Sequence, residues 1–177
     1  MKKVAKFEKV SYNEFKNAIL DFYVDFYEVN PEEEYIKRLY DEIKLPKRST
    51  TGSAGYDFYN NVGIDLTIVS RETLKIPTGI RCKMDEDWVL MAFPRSGLGF
   101  KYRLQLDNTV GIIDSDYYYS DNEGHIFLKV TNDSKTVKMC DIKKGKAFAQ
   151  GIFLPYGITE DDDATGIRNG GFGSTDK

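Results

Sequence analysis

The sequence predicts a mainly β fold, a barrel or jelly-roll-like sandwich of short strands, with a helical extension at its N-terminal end. From Thr50 onward, short apolar runs alternate with Gly, Asn and Asp turns about every ten residues, and no pattern of helical length interrupts them. Residues 11–44 instead carry apolar side chains at helical spacing. We therefore expect a helical extension at 1–45, a β domain at 46–160 and a flexible C-terminal arm at 161–177.

Two helices are predicted in the extension. Ser11 and Glu14 have capping-box spacing and precede a run with apolar residues on one face. Asn30 is expected to cap the second helix and Pro31 to begin it, ahead of an apolar stripe that ends at Ile43. We interpret the two helices as a pair that packs on the main domain, and a separate functional module is the alternative.

The β region contains two segments with clear patterns. Across Leu74–Met84 every second position is apolar except Thr78, and this alternation predicts a half-buried strand with Pro77 on a side that needs no ladder hydrogen bond. The run Trp88–Phe93 is apolar without a break, so we expect both of its faces to be covered. Later strands are predicted at 124–131 and 147–154.

The bulk properties narrow the function classes. The 177 residues suffice for one domain with a core, and a net charge of −3 offers no broad basic surface for duplex nucleic acid. No apolar run reaches the roughly 20 residues that span a bilayer, and the charged N-terminus lacks a signal peptide's apolar centre. Cys82 and Cys140 have no CxxC spacing, which favours buried free thiols over a disulfide or a metal site. We expect a cytoplasmic protein with no nucleic-acid or membrane partner.

Two carboxylates, Asp114 and Asp116, stand between the apolar segment Gly111–Ile113 and Tyr117. On one strand they would point to the same face, and like charges so placed need a bend, a cation, a hydrogen-bond donor or a role as a base. A hairpin shoulder is the plainer alternative, because Asp and Ser favour turns.

Four further segments accompany this one in a fixed order: Ala54–Asp57, Pro94–Gly99, Gly145–Gln150 and Gly170–Thr175. In order and spacing, the five segments resemble the signature motifs of the homotrimeric dUTPase (deoxyuridine 5′-triphosphate nucleotidohydrolase) family over about residues 45–177. The helical extension is similar to that of bacterial and phage-borne members. The resemblance implies a dUTPase-like β-clip barrel that hydrolyses dUTP to dUMP and diphosphate by attack of water on the α-phosphorus.

The resemblance also implies roles for the central motif. Asp114 would be the general base that activates water, and Asp116 a supporting carboxylate. Tyr117 would pack against the deoxyribose and leave no space for a 2′-hydroxyl group. Its alternative is an ordinary strand aromatic.

Base recognition would fall to the segment before Asp114. The carboxamide of Asn108 offers one acceptor and two donors, which suits the edge of uracil. The main chain at Gly111 and Ile113 would complete this site. Without the resemblance, Asp107-Asn108 is interpreted as a turn.

The phosphate chain would be bound by another group of residues. Arg95, Ser96 and Gly97 offer a guanidinium, a hydroxyl and an accessible backbone, the components of an anion site. Gln150 would contact the phosphates, with a structural hydrogen bond as the alternative, and Asp57 would support the site.

The C-terminal arm would close over the nucleotide. Phe172 is an aromatic in a glycine-rich tail with no core of its own, and by the resemblance it stacks on uracil. Arg168, Gly173, Ser174 and Thr175 would contact the triphosphate. Closure of this kind excludes water and completes a site.

The resemblance implies one cofactor, Mg²⁺, held chiefly by the substrate phosphates, so we name no direct protein ligand. It also implies a homotrimer with shared sites. One chain would supply Asn108, Asp114 and Tyr117, a second Arg95, Ser96 and Gln150, and a third the arm.

The sequence departs from the family pattern after Tyr117. The residues Tyr118–Asn122 intervene before Glu123-Gly124, where the family has a short turn, so the base-binding hairpin is longer or differently turned. His125 is the only histidine, and we expect it at the surface or an interface.

Two alternative functions remain open. One is a dCTP deaminase of the same fold, although that family lacks the D-x-D-Y pair. The other is a phage-type dUTPase with an added nucleotide-gated role in binding a regulatory partner.

Overall fold

The computed structural model describes residues 2–170. The helices are α1 (Tyr12–Tyr27), α2 (Glu33–Asp41), α3 (Ser96–Tyr102) and the 3₁₀ helix η1 (Ser115–Tyr119). The strands are β1 (Ala5–Lys9), β2 (Lys47–Arg48), β3 (Tyr56–Tyr59), β4 (Leu66–Ile68), β5 (Thr73–Pro77), β6 (Ile80–Met84), β7 (Trp88–Pro94), β8 (Leu104–Leu106), β9 (Gly111–Ile113), β10 (Phe127–Asn132), β11 (Cys140–Ile142) and β12 (Ala147–Pro155).

The predicted mainly β, jelly-roll-like fold is confirmed. The largest sheet has the order β2-β3-β12-β7-β9, a second has the order β5-β10-β8, and β1-β6 and β11-β4 form two pairs. All these pairings are antiparallel. The hydrogen bonding of the described strands is divided among four sheets and does not close one continuous barrel. A single apolar core joins the sheets, with Phe58, Leu90 and Phe148 fully buried in it.

The N-terminal extension differs in two respects from the prediction of two helices. Residues 5–9 form β1, which pairs with β6, a strand that the helical pattern did not indicate. The Ser11 cap of α1 is confirmed, but Asn30 does not cap α2, because the extended residue Glu32 occupies that position. The division at residues 45 and 160 stays a prediction.

The alternating segment Leu74–Met84 forms two strands and not one. The chain turns at Gly79, whose φ is 72°, and β5 then pairs with β10 while β6 pairs with β1. A Cβ at Gly79 would lie 2.8 Å from Cδ1 of Ile43 and 3.0 Å from Cδ2 of Phe15, so α1 and the segment that follows α2 pack closely over this turn. Alternation persists on both sides of the turn because both strands bury one face in the same core.

Strand β7 and helix α3 also differ from expectation. In the single chain only Leu90 and Ala92 of β7 are fully buried, whereas both faces were expected to be covered. Helix α3 was not predicted, and its lack of any buried residue explains why no apolar periodicity indicates it. None of the helices in the described part of the chain has the length and apolar character needed to cross a membrane. Cys82 and Cys140 are buried free thiols, as predicted.

His125 was expected at the surface or an interface, and this prediction was wrong. Its side chain is fully buried between α1 and the turn at Gly79. The imidazole Nε2 accepts a hydrogen bond from the backbone N–H of Gly79 at 2.9 Å, and Nδ1 lies 2.9 Å from Oε1 of Glu14. These partners are 46 and 111 positions away along the chain, so no local pattern indicates them.

Candidate active site

The segment around Asp114 combines a strand end with a helical turn. Ile113 pairs with Leu90 in the large sheet, and the next residue, Asp114, is the N-cap of η1. The backbone carbonyl of Asp114 accepts a hydrogen bond from the N–H of Tyr117 at 3.2 Å. The backbone bend removes Asp116 from the strand geometry that would otherwise place both carboxylates side by side on one face.

The guanidinium of Arg168 also compensates the negative charges of the two carboxylates. Nη2 of Arg168 lies 2.5 Å from Oδ2 of Asp114, and Nε of the same residue lies 2.9 Å from Oδ1 of Asp116. The side chains of Asp114 and Asp116 are 46% and 54% exposed. Arg168 was predicted to contact the triphosphate, and within the single chain it binds the candidate base.

Tyr117 lies in the core at the end of this segment. It is buried, its hydroxyl donates a hydrogen bond to the carbonyl of His125 at 2.7 Å, and the amide of Asn122 donates to that hydroxyl at 2.8 Å. Burial raises the pKa of Tyr117, so the phenol stays protonated and keeps donating. The guanidinium carbon of Arg168 is 6.0 Å from the ring centroid, so the ring borders the carboxylate site.

A second cluster brings together the predicted phosphate ligands Arg95 and Gln150 and the supporting Asp57. Nε of Arg95 lies 3.1 Å from Oδ1 of Asp57, and Gln150 donates to the carbonyl of Pro94 at 3.3 Å. Gln150 is paired with Asp57 on β3 and with Phe93 on β7, so the sheet register places these side chains together.

Small residues and a short helix shape this second cluster. A Cβ at Gly55 would lie 2.5 Å from Oε1 of Gln150, so that only glycine leaves the carboxamide its present position. Ser96 and Gly97 are exposed in the first turn of α3, whose N-cap is Arg95. The first N–H groups of a helix have no carbonyl partner within it, and they are suited to phosphate oxygens.

The predicted base-binding residues lie at the edge of the large sheet. Strand β9 is terminal in the sheet order, so its outer backbone edge is not paired with another described strand. Ile113 buries its side chain in the core, which leaves only its backbone for a ligand. Asn108 is exposed in the connection from β8 to β9, and the next residue, Thr109, has a φ of 67°.

The two clusters lie at opposite ends of β7. Gly111 is paired with Ala92 and Ile113 with Leu90, so Asp114 follows on beside Val89. Arg95 follows the other end of the strand, six residues away, which corresponds to about 20 Å of extended chain. One chain therefore does not bring Asp114 and Arg95 to the same ligand atoms.

The described residues offer no ready-made metal site. Between residues 2 and 170, no group of three or more His, Cys, Asp or Glu side chains is arranged to hold an ion. Asp114 and Asp116 are two exposed carboxylates that share one guanidinium. Two carboxylates suit a magnesium ion whose remaining ligands are water molecules and substrate oxygens.

Two features of the site region were missed from the sequence, and one set of predictions falls outside the described residues. Ser49 donates to Asp57 at 3.0 Å and Asn122 donates to Tyr117, although neither lies in a signature segment. For Asn122, its position within the lengthened turn was the sequence signal that could have indicated the contact with Tyr117.

Four predicted contact residues of the arm lie outside the described range: Phe172, Gly173, Ser174 and Thr175.

Comparisons with known proteins agree with the motif pattern. The dUTPase family model matches residues 41–176. The deoxyuridine 5′-triphosphate nucleotidohydrolase of Lactococcus lactis subsp. lactis (strain IL1403) is 41% identical over 138 residues, which cover 75% of this chain and 88% of that protein. The Escherichia coli (strain K12 / DH10B) enzyme of the same name is 38% identical over 141 residues, 75% of this chain and 87% of its own length.

Solved structures give the same result. The crystal structure of dUTPase from Streptococcus mutans has a TM-score of 0.59 and 29% identity, covering 87% of this chain and 98% of that one. A Staphylococcus bacteriophage 80alpha dUTPase mutant with dUpNHpp has a TM-score of 0.59 over 92% of this chain and 97% of its own, and at 17% identity it supports the fold alone. The family match, which spans most of the sequence, shows that the chain belongs to the dUTPase family.

Proposed function

We propose that this chain hydrolyses dUTP to dUMP and diphosphate, with Asp114 as the general base. The family match and the names of the relatives support this reaction. The observation that carries the assignment to Asp114 is its geometry, a half-exposed carboxylate between the edge strand β9 and the buried Tyr117.

In the proposed reaction, the carboxylate of Asp114 accepts a proton from water as the water oxygen bonds to the α-phosphorus. The bond from that phosphorus to the bridging oxygen of the β-phosphate breaks, and diphosphate leaves. The outer edge of β9 and the Asn108 carboxamide would bind uracil. The ring of Tyr117, held in place by burial, would exclude a 2′-hydroxyl group.

The phosphates would be bound by Arg95, Ser96, Gly97 and Gln150, with Asp57 orienting the guanidinium of Arg95. These residues lie at the far end of β7 from Asp114, and this separation supports a site shared between chains of a homotrimer. Within such a trimer the half-buried residues of β7 would gain the cover that the single chain lacks.

Magnesium would be held mainly by the triphosphate. Asp114 and Asp116 fit the role of carboxylates that receive hydrogen bonds from the ion's waters once Arg168 moves away. A bound ion would neutralise charge on the phosphates.

The arm would complete the site. Arg168 would exchange its two carboxylate partners for phosphate oxygens, which are also bidentate acceptors. Phe172 would stack on uracil, and Gly173, Ser174 and Thr175 would close over the triphosphate.

A diphosphate-release assay with dUTP, dTTP, dCTP and UTP, each with and without magnesium, tests this proposal. We expect rapid release from dUTP with magnesium and little from the other nucleotides. Release of uridine nucleotide from dCTP would instead identify a deaminase, which the family match does not favour. The phage relative quoted above supports the fold alone, so it lends no weight to a partner-binding role.

A further inference from the structure

The lengthened segment after Tyr117 is held by the N-terminal extension. The carboxylate of Glu123 accepts hydrogen bonds from the backbone N–H of Ser11 at 2.7 Å and from its hydroxyl at 2.6 Å. The hydroxyl of Tyr118 donates to Oε2 of Glu8 on β1 at 2.7 Å. The N-terminal extension, where Glu8 and Ser11 precede the family match, and the lengthened segment after Tyr117 therefore bind each other.

The most buried of these contacts joins Glu14 of α1 to His125. Because Nε2 of His125 accepts from the N–H of Gly79, the ring proton of the neutral imidazole is on Nδ1 and is donated to Glu14. The ring also lies against Phe127, with 4.2 Å between centroids. The imidazole is thus fixed on three sides.

The backbone of the same histidine holds Tyr117. The carbonyl of His125 accepts from the Tyr117 hydroxyl at 2.7 Å and from Asn122 at 3.3 Å. The intervening turn is tight, because a Cβ at Gly124 would lie 2.7 Å from the carbonyl oxygen of Tyr117. A shift of His125 is therefore transmitted to the Tyr117 ring by a short hydrogen bond and a closely packed turn.

We propose that Glu14 and His125 are positioning residues for Tyr117, through which helix α1 sets the discrimination between deoxyribose and ribose. This inference rests on the proposed function, because it takes Tyr117 to be the residue that excludes the 2′-hydroxyl group. The extension then has a role in substrate selection although none of its contacts described here reaches Asp114.

The chain offers a matched control at the other end of the same helix. The hydroxyl of Tyr23 donates to the carbonyl of Val62 at 2.9 Å and lies 3.1 Å from that of Tyr35. Tyr23→Phe removes a buried hydrogen bond between α1 and the β domain without touching His125. The Tyr23→Phe variant therefore measures how a general loosening of α1 changes substrate discrimination.

The test compares kcat/KM for dUTP with kcat/KM for UTP in four proteins: wild type, Glu14→Ala, Glu14→Gln and Tyr23→Phe. Circular dichroism first establishes a temperature at which all are folded. We expect Glu14→Ala to lower the dUTP/UTP ratio roughly tenfold, the scale of one buried hydrogen bond. Glu14→Gln should retain the ratio, since its carbonyl oxygen still accepts from Nδ1–H, and Tyr23→Phe should retain it as well.

An unchanged ratio in folded Glu14→Ala overturns the inference, and so does an equal fall in Tyr23→Phe, which would indicate general loosening. If Glu14→Ala does not fold, Glu14→Asp provides the test, because its shorter side chain withdraws the carboxylate from Nδ1 and must lower the ratio. A wild-type protein without dUTP hydrolysis refutes the proposed function, and the inference fails with it. A wild type that hydrolyses dUTP selectively, with a ratio insensitive to Glu14, refutes the inference alone.

Discussion

Arg168 of the C-terminal arm forms a charge-paired hydrogen bond with Asp114, at 2.5 Å, and extends the same guanidinium to Asp116 at 2.9 Å. The planar fork of arginine suits two carboxylates as well as it suits phosphate oxygens. A triphosphate would therefore compete with the candidate base for the same cation. Nucleotide binding would therefore draw Arg168 onto the phosphates and release Asp114 in the same step.

Replacement of Asp114 by Asn should remove hydrolysis and keep nucleotide binding. The amide preserves the shape of the side chain but does not accept the proton of water, and a general base contributes about 10²–10⁴-fold in rate. Diphosphate release measures the rate, and calorimetry with a non-hydrolysable dUTP analogue measures binding. Asp116→Asn is the comparison variant and should lose less activity, because it leaves the base Asp114 in place. Equal losses in the two variants would contradict the assignment.

Replacement of Gly55 by Ala should weaken the use of nucleotide with little loss of stability. The new Cβ would lie 2.5 Å from Oε1 of Gln150, and the far end of that side chain would rotate away from its hydrogen bond to Pro94. If the side chain is held about 30° off a staggered rotamer, the cost is about 0.5–1.5 kcal/mol. We expect KM for dUTP to rise several-fold while the melting temperature changes little.

Gly52→Ala is the matched control for this prediction, because nothing lies within 4 Å of a Cβ at that position. It should leave both KM and the melting temperature at their wild-type values. An unchanged KM in Gly55→Ala would mean that Gln150 makes only a structural hydrogen bond.

His125 should make the free energy of unfolding depend on pH in a window above that of the carboxylates. Burial lowers the pKa of His125, while the bonded Glu14 partly opposes this, with Lys75 and Glu123 the other charged groups that act on it. Above about pH 6.5 the imidazole is neutral in both folded and unfolded chains. Below that pH the unfolded chain takes up a proton first, so stability falls as the pH falls toward the pKa of the folded state.

Denaturant unfolding at constant ionic strength, measured from about pH 7 to about pH 5, checks this prediction. The wild type should lose stability across this range, and His125→Gln should lose less, although it begins less stable. Glu8 and Glu123 change the stability only at lower pH, because their pKa values are lowered from an ordinary value of 4.5. Parallel curves for the two proteins would show that His125 does not titrate in this window.

A structural feature could be predicted from the sequence when its contacting residues lie close together along the chain. Strands β7, β10 and β12 and the Ser11 cap follow from local pattern, and the motif segments follow from resemblance. The contact of Arg168 with Asp114 joins residues 54 positions apart, and no spacing rule indicates it. His125 was misplaced for the same reason, since its side-chain partners come from α1 and from a turn between two strands.

Strand β1 shows a different limit. Its five residues include three charged side chains and none that is fully buried, so their composition gave no apolar alternation to detect. The strand forms because β6 offers an unpaired edge. Tertiary context decides such a segment, and local propensity does not.

Deletion of the residues after Gly166 should leave the fold intact and remove most catalysis. The described arm adds little to the core, since Ile167 is 88% exposed and the contacts of Arg168 are with partly exposed carboxylates. Ion pairs of this kind are worth about 0–1 kcal/mol, so the melting temperature should shift by a few degrees at most. Hydrolysis of dUTP should fall steeply because closure and phosphate contacts are lost. A truncated protein with full activity would make the arm dispensable.

Mixed assemblies should decide whether the arm acts on its own chain or on a neighbour. In the single chain Arg168 reaches its own Asp114, yet Arg95 lies about 20 Å of extended chain beyond Val89, the residue of β7 beside Asp114, which favours a site built from several chains. Chains with Asp114→Asn should therefore be mixed, by unfolding and refolding together, with chains truncated after Gly166. If the arm crosses between chains, equal random mixing gives intact Asp114 and an intact arm at about a quarter of the sites, and activity returns to about that level.

A mixture of Asp114→Asn chains with chains that carry both defects should stay inactive and serves as the control. Native mass spectrometry establishes that mixed trimers have formed, and inactivity of such trimers would show that each arm serves the Asp114 of its own chain.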